Sequence, residues 1–341
     1  MTPVADPADH SRLELKPEPV STAPAFTVIV PTFRRVTSLR ECLLGLSNQS
    51  LAPAQLIVVV RTEDDETAAA LPQLSAEVGE FEIVRVERPG QTHALNTAIA
   101  RAEHELVAFI DDDAVPKRDW LLRLAEQFED PSVGAVGGKL IVPQVTASES
   151  SERLRVGGLT ALGQPRGNHH AGDGEAREVQ WLRGANMSYR RQLCRFDESL
   201  RGDGAQVAND SEASLRVHAA GWRVIYVPAA AVFHNAAPRT GADQRGRPSN
   251  RAMRDASFNE MITLLRWLPA GQGRRAAIYL LLAGTPRTPG PMSAVRSIVT
   301  GRQDISTAMT RCANATWGRV AAVRQWSRDR GQEDWAPRAA R

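Results

Sequence analysis

Lysine is almost absent from this chain of 341 residues: Lys16, Lys117 and Lys139 are all it has. Positive charge is therefore carried by arginine. That fits either a GC-rich coding composition or a surface that meets anionic lipid or another polyanion. Cysteine is as scarce. Cys42, Cys194 and Cys312 are odd in number, far apart and without CxxC or Cys/His spacing. This excludes a zinc site or a disulfide frame and suits reduced thiols in a cytosolic protein. Long apolar runs are missing too. The most apolar stretch, residues 276–283, is far shorter than the roughly 18 residues of a membrane span. The first residues lack an apolar core of signal-peptide length, and no internal repeat is found.

What is present is ordinary for a globular protein, with 42% hydrophobic and 24% charged residues, which excludes wholesale disorder. The length allows one large α/β domain with an appendage, or two domains. The net charge of +3 is unevenly spread: from Arg239 onward there are 18 Arg against 7 acidic residues. Residues 1–24 are polar and Pro-rich and read as a disordered leader. From residue 25, apolar strands (26–30, 56–60, 81–86, 106–110, 133–141) alternate with amphipathic helices (35–49, 67–78, 92–102, 119–129). Strands apolar throughout, separated by helices, predict a mostly parallel sheet covered on both faces. Residues 143–178 break the pattern as a Gly-, Ser- and His-rich loop. A helix at 210–220 and a strand at 223–227 close the domain near residue 236. Residues 237–250 read as a flexible linker, and 251–341 as a helical appendage.

Three carboxylates, Asp111, Asp112 and Asp113, stand where the strand at 106–110 runs out. In a parallel α/β sheet that position is the ligand crevice. Asp111 and Asp113, two residues apart, can both reach one hard cation whose shell water and phosphate oxygens complete. An Asp-rich turn opening the next helix explains the same residues equally well.

Several segments together resemble the family-2 glycosyltransferases, which have a GT-A fold and use nucleotide-sugar donors. They are Val28-Ile29-Val30-Pro31-Thr32-Phe33-Arg34, Gly90-Gln91-Thr92-His93-Ala94-Leu95-Asn96, Asp111-Asp112-Asp113, Arg183-Gly184-Ala185-Asn186-Met187, and Gly221 to Pro228 with His234. Their order and spacing are the family's and cover about residues 26–236. The resemblance implies an α/β, GT-A-type sheet with a C-terminal helical appendage. It implies Mg²⁺ or Mn²⁺ held by Asp111, Asp113 and His234, and donor contacts from Pro31, Thr32, Arg34, Asp64, Gln91, Asn96, Asp111, Asp112, Gly184 and Asn186. Gly184 is expected to permit close backbone approach. Trp181 and Glu212 are placed beside the acceptor. His169 and His170, without a partner at metal spacing, read as solvated.

One departure matters. An inverting transferase needs a carboxylate to take the acceptor's proton. The family usually supplies it from a Glu-Asp pair, and here the pair reads Asn209-Asp210. Asp210 is the expected base. Asn209 with Glu212 also matches a capping box at the helix start. The implied activity is inverting transfer of a hexosyl group from a nucleoside diphosphate sugar, UDP favoured, to a carbohydrate or lipid-linked acceptor in polysaccharide, glycolipid or cell-envelope biosynthesis. The alternatives are an inactive nucleotide-sugar-binding relative and a sugar nucleotidyltransferase. The expected location is the cytoplasm or the inner face of an anionic membrane. No nucleic-acid partner is expected.

Overall fold

A computed structural model describes residues 24–143, 154–235 and 248–330. The expected leader, most of the linker at 237–250 and the chain after residue 330 lie outside the described residues.

The first half alternates β1 (Phe26–Thr32), α1 (Val36–Ser47), β2 (Gln55–Arg61), α2 (Asp65–Val78), β3 (Glu82–Val86), α3 (Gln91–Ile99) and β4 (Leu106–Phe109). These strands pair in parallel in the order β3-β2-β1-β4, with Val28 opposite Leu56 and Ala108. Strand residues alternate between faces, and each face has a core. Val28, Val30, Val58 and Val60 join Leu39, Leu43 and Leu46 of α1 in one. Ile29, Ile57 and Val59 join Leu95 and Ala98 of α3 in the other. Unbroken β-branched runs are what a sheet covered on both faces requires.

The second half is mixed. It comprises β5 (Ala114–Pro116), α4 (Trp120–Ala125) with a 3₁₀ turn (Glu126–Glu129), β6 (Val133–Ile141), a small hairpin of β7 (Gly158–Leu159) and β8 (Pro165–Arg166), then β9 (Arg177–Glu178), β10 (Met187–Arg190), α5 (Asn209–Ala219) and β11 (Arg223–His234). β10 enters antiparallel between β4 and β6, β11 lies parallel to β6, and β5 and β9 pair antiparallel with β11. Half of the pairings in the main sheet are therefore antiparallel. The expected parallel sheet is its first half, and helices flank the whole.

The strand expected to stop at Pro228 continues to His234. Its register with β6 shifts between Val227 and Val232, a bulge that absorbs the proline. The bulge brings Ala230 against β6 so closely that a Cβ on Gly138 would lie 1.6 Å from the Ala230 carbonyl oxygen. Only glycine fits there.

Four helices complete the chain: α6 (Asn250–Trp267), α7 (Ala270–Leu282), α8 (Pro291–Val299) and α9 (Ile305–Asp329). α6 and α9 cross at Gly318, where a Cβ would meet the Arg254 carbonyl oxygen at 2.2 Å. Phe258, Met261, Ile262, Leu280 and Ala322 share a core with Trp181, Leu200 and Leu215 of the sheet domain. Burying each large apolar side chain there contributes about 1.5–3 kcal/mol, so the appendage is docked onto the domain, forming one wall of the site below. Among the described residues, no helix is long and apolar enough to cross a membrane.

Candidate active site

β4 is apolar to its end, and the chain then turns sharply, with the Ala114 amide donating to the Asp111 carbonyl at 3.0 Å. The next three residues are β5, which pairs with the end of β11 so that Ala114 faces His234. The Asn235 amide donates to the Asp113 carbonyl at 2.9 Å. Backbone pairing thus carries the imidazole to the carboxylates. One ligand atom from each of Asp111, Asp113 and His234 lies within 4.8 Å of the other two. His234 Nε2 is 3.2 Å from Asp113 Oδ1 but makes no hydrogen bond there. Two carboxylates and an imidazole converging at this spacing fit a divalent cation such as Mg²⁺ or Mn²⁺.

Asp112 faces the other way. It is buried, accepts from the Thr32 hydroxyl at 2.8 Å and pairs with Arg35 Nη1 at 2.9 Å. Arg35 Nη1 also lies 3.5 Å from Asp113 Oδ2. Burial, opposed by Arg35 and Thr32, leaves the Asp112 carboxyl above the usual carboxylate range.

Asp111 and His234 line a cleft of about 1090 Å³, and Asp210 lines it too, with Gln91, Arg183 and Gly184. Asp210 is held at the start of α5. Its Oδ2 accepts from the Gly184 amide at 3.1 Å and lies 3.7 Å from Arg183 Nη1; its Oδ1 accepts from the Ser211 amide at 2.7 Å. The loop before it is strained, with Gln206 at φ 43° and Ala208 at φ 75°, a region that costs non-glycine residues energy. Buried Gln206 pins that loop. Its Oε1 accepts from the Thr92 amide at 3.0 Å and hydroxyl at 2.8 Å, and its Nε2 donates to the Leu200 carbonyl.

A metal-compatible acidic cluster and a second, separately held carboxylate in one cleft at the end of a sheet give the geometry against which known proteins can be compared. Residues 24–254 match the family described as glycosyltransferase like family 2. This chain belongs to glycosyltransferase family 2. An N-acetylglucosaminyltransferase of Rhizobium sp. (strain N33) is 27% identical over 295 residues, covering 82% of this chain and 61% of the relative. The uncharacterized protein y4gI of Sinorhizobium fredii is 25% identical over 252 residues, 70% of this chain and 28% of that one. The chain therefore spans less than two thirds of the length of these relatives.

Solved structures share the GT-A fold. The mannosyltransferase PcManGT from Pyrobaculum calidifontis, in complex with GDP-Man and Mn²⁺, aligns with a TM-score of 0.54 at 20% identity, covering 89% of this chain and 88% of that one. GalNAc-T7 with UDP, GalNAc and Mn²⁺ gives 0.60 at 12% identity, over 86% of this chain and 57% of that one. S. aureus TarS 1-349 with UDP-GlcNAc gives 0.56 at 15%, over 90% and 92%.

Within this family-2 frame, the expected site residues divide. Asp111, Gln91, Gly184, Trp181, Asp210 and His234 line the cleft, with buried Asp113 beside His234. Asn186 does not offer its side chain to a ligand. It is buried, accepts from Trp120 Nε1 at 2.8 Å and donates to the Ala230 and Lys139 carbonyls. It locks the β11 bulge instead. Asp64 caps α2, accepting from the amide and hydroxyl of Thr67 and from the Arg34 amide at 2.6 Å. Asn96 is spent on Phe196 and Glu198. Pro31, Thr32 and exposed Arg34 form a corner at the end of β1 outside the cleft lining.

Glu212 is buried, facing Arg216 Nε at 3.6 Å, and does not line the cleft. Burial, partly offset by Arg216, pushes its carboxyl up to about 7. The capping box does not form either: Ala208 is the N-cap, and Asn209 donates to the Ala205 carbonyl and to Gln91 Oε1. A Cβ on Gly184 would meet Asp210 at an ordinary 3.6 Å, so its amide, not its lack of a side chain, is what the site uses. His169 is buried, not solvated: its Nε2 lies 3.1 Å from the Trp181 carbonyl, and burial pushes it down to about 3. Arg35 and Gln206 were not foreseen, and Arg183 was named only as part of its segment, without a role. The position of Arg35 just past the first strand, and of Arg183 beside Gly184 in a matching segment, could have pointed to them; nothing in the sequence singles out Gln206.

Proposed function

We propose that this protein is a metal-dependent, inverting glycosyltransferase that moves a hexosyl group from a nucleoside diphosphate sugar, UDP favoured, to an acceptor hydroxyl. The observation that carries the reading is that Asp111, His234 and Asp210 line one cleft, with Asp113 beside His234. Bound there, a divalent cation would supply charge neutralisation to the departing diphosphate. Asp111, Asp113 and His234 would hold it, and the corner of Pro31 and Arg34 would face the nucleoside.

The acceptor oxygen forms a bond to the anomeric carbon as the carbon–oxygen bond to the diphosphate breaks, and its proton passes to Asp210. The Gly184 amide and Arg183 hold that carboxylate in place, and Ser211 fixes its other oxygen. The UDP preference follows the family resemblance alone, since the solved structures are named with UDP for GalNAc-T7, UDP-GlcNAc for TarS and GDP-Man for PcManGT; the sugar class is supported by the relatives' names. Peripheral docking on the inner face of an anionic membrane is part of the proposal. It is supported by Met292, Val295 and Val299, which expose one apolar side of α8 among arginines.

A thermal-shift series with nucleoside diphosphates and their sugars, in Mn²⁺ and in EDTA, tests the donor half. Stabilisation by one nucleotide only with the metal is expected; a folded sample that answers to none of them sinks the proposal. The second reading, an inactive relative, is favoured by one feature: Asn209 stands where the family usually has Glu. Metal-dependent binding without any release of nucleoside diphosphate from the donor would favour it.

A further inference from the structure

At about 1090 Å³ the cleft stands at the upper end of the ~300–1,000 Å³ of most small-molecule sites. The wall supplied by the C-terminal helices has a distinct chemistry. Arg287 in the turn after α7, Arg296 on α8, Arg302 in the turn before α9 and Arg311 on α9 all line it. Its one carboxylate, Glu260, accepts a hydrogen bond from the Thr288 hydroxyl at 2.8 Å. Among the described residues, Arg296, Arg302 and Arg311 form no ion pair. Arg311 Nε is buried without a hydrogen-bond partner, and Nη2 has only two long contacts, 3.3 Å each, to the carbonyls of Pro286 and Arg287.

The wall is also rigidly backed. Fully buried Arg319 on α9 donates to the Thr288 hydroxyl at 3.1 Å and to the carbonyls of Thr288 and Pro289, clamping the turn that bears Arg287. Ser293 and Ser297 add hydroxyls to the lining. Arg296, Arg302 and Arg311, which form no ion pair among the described residues, line this wall together with the Ser293 and Ser297 hydroxyls, a lining that suits a dianionic tetrahedral group better than a neutral sugar.

We propose that this wall seats a phosphate group carried by the acceptor, so that the transferase acts on a phosphorylated substrate. The inference rests on the transferase reading for the word acceptor; the anion site itself does not need it. A phosphate on a soluble glycan and one in a lipid headgroup would present the same chemistry to these arginines.

Inorganic pyrophosphate, titrated calorimetrically in EDTA, is the probe. The variant is R296Q/R302Q, at two exposed positions where folding is not at stake. Wild type is expected to bind pyrophosphate, more weakly as salt rises, and the variant to lose affinity by about tenfold or more, the loss expected for one charge-assisted bond. Mn²⁺-dependent nucleotide binding should be unchanged in that variant, whereas D111N/H234A should show the reverse pattern. Failure of nucleotide binding with pyrophosphate binding intact would remove the donor reading and leave the anion site standing.

Equal pyrophosphate affinity in wild type and R296Q/R302Q, or none in wild type, overturns the proposal. So does a parallel loss of nucleotide affinity, which would assign the wall to the donor. Phosphatidylcholine vesicles with and without phosphatidic acid separate the two sources. Capture that needs phosphatidic acid, is not given by phosphatidylserine at equal charge and is abolished by R296Q/R302Q identifies a lipid-borne phosphate. Pyrophosphate binding without such capture identifies a soluble one.

Discussion

Asp210→Asn separates chemistry from structure at the proposed base. The carboxylate accepts two backbone amides, Gly184 on one oxygen and Ser211 on the other. Asparagine keeps one acceptor oxygen and turns an NH₂ toward the second amide, losing one hydrogen bond at about 0.5–1.5 kcal/mol. Arg183 at 3.7 Å is half exposed, so its pairing adds only about 0–1 kcal/mol. The variant should therefore be less stable by about 0.5–2.5 kcal/mol. A domain stable by roughly 5–15 kcal/mol stays almost wholly folded after such a loss. Removing a general base costs far more in rate, about 10²- to 10⁴-fold, or about 3–5 kcal/mol of barrier. Release of nucleoside diphosphate from the donor in Mn²⁺, with donor affinity measured in parallel, reads the two effects apart. We expect unchanged affinity and a loss within that range. Turnover within about threefold of wild type would show that Asp210 only organises the start of α5, and the base would have to be sought elsewhere in the cleft.

Asp113→Ala or His234→Ala should abolish Mn²⁺-dependent stabilisation by nucleotide; a response identical with and without EDTA in wild type and variants would take both residues out of the metal site. Glu212, pushed up to about 7 by burial, is protonated in the fold well above the pH at which it ionises in the unfolded chain. Its contribution is therefore complete at low pH and declines as pH rises from about 4.5 through 7, by about 3 kcal/mol in all. Glu212→Gln should gain on wild type over that window in urea unfolding. The comparison with wild type isolates Glu212, because buried His169, pushed down to about 3, has the opposite slope below its ordinary value. A constant difference between the two proteins from pH 4 to 8, in rough terms, would refute the assignment. Gly138→Ala must push the Ala230 carbonyl away from β6 and so displace the end of β11. It should weaken Mn²⁺ affinity along with stability; unchanged metal affinity would mean that the bulge does not position His234.

The first half of the sheet was legible because β1 and β2 are runs rich in β-branched residues buried on both faces, a pattern that needs no partner to be read. Ile57 to Val60 is such a run, and its four residues divide between two cores. β10 was not legible as an antiparallel insertion. Its four residues pair with β4 and β6, some 50 to 80 positions earlier in the sequence, and nothing local in Met187–Arg190 states that direction. Pro228 misled for a related reason. Proline forbids one ladder bond, but the register shift between Val227 and Val232 spends that position on a bulge, and the strand resumes.

Within the site, residue type was a poor guide to which polar side chain faces the ligand and which faces the protein. Asp111, Asp112 and Asp113 are identical in chemistry, yet the middle one is held by Thr32 and Arg35, while the outer two meet His234, with Arg35 bridging Asp112 and Asp113. The tight turn after β4, closed by the Ala114 amide on the Asp111 carbonyl, accounts for the division, because it aims neighbouring side chains in different directions. The same ambiguity governs Asn186, whose amide can bind sugar hydroxyls as readily as backbone carbonyls. Its position between Trp120 and the β11 bulge decides the matter: it holds Ala230, Ala230 sets the path of β11, and β11 delivers His234 to Asp113. Asn186 is thus linked to the candidate metal site through the backbone, from just before β10, the strand beside β4, and not through contact with the carboxylates.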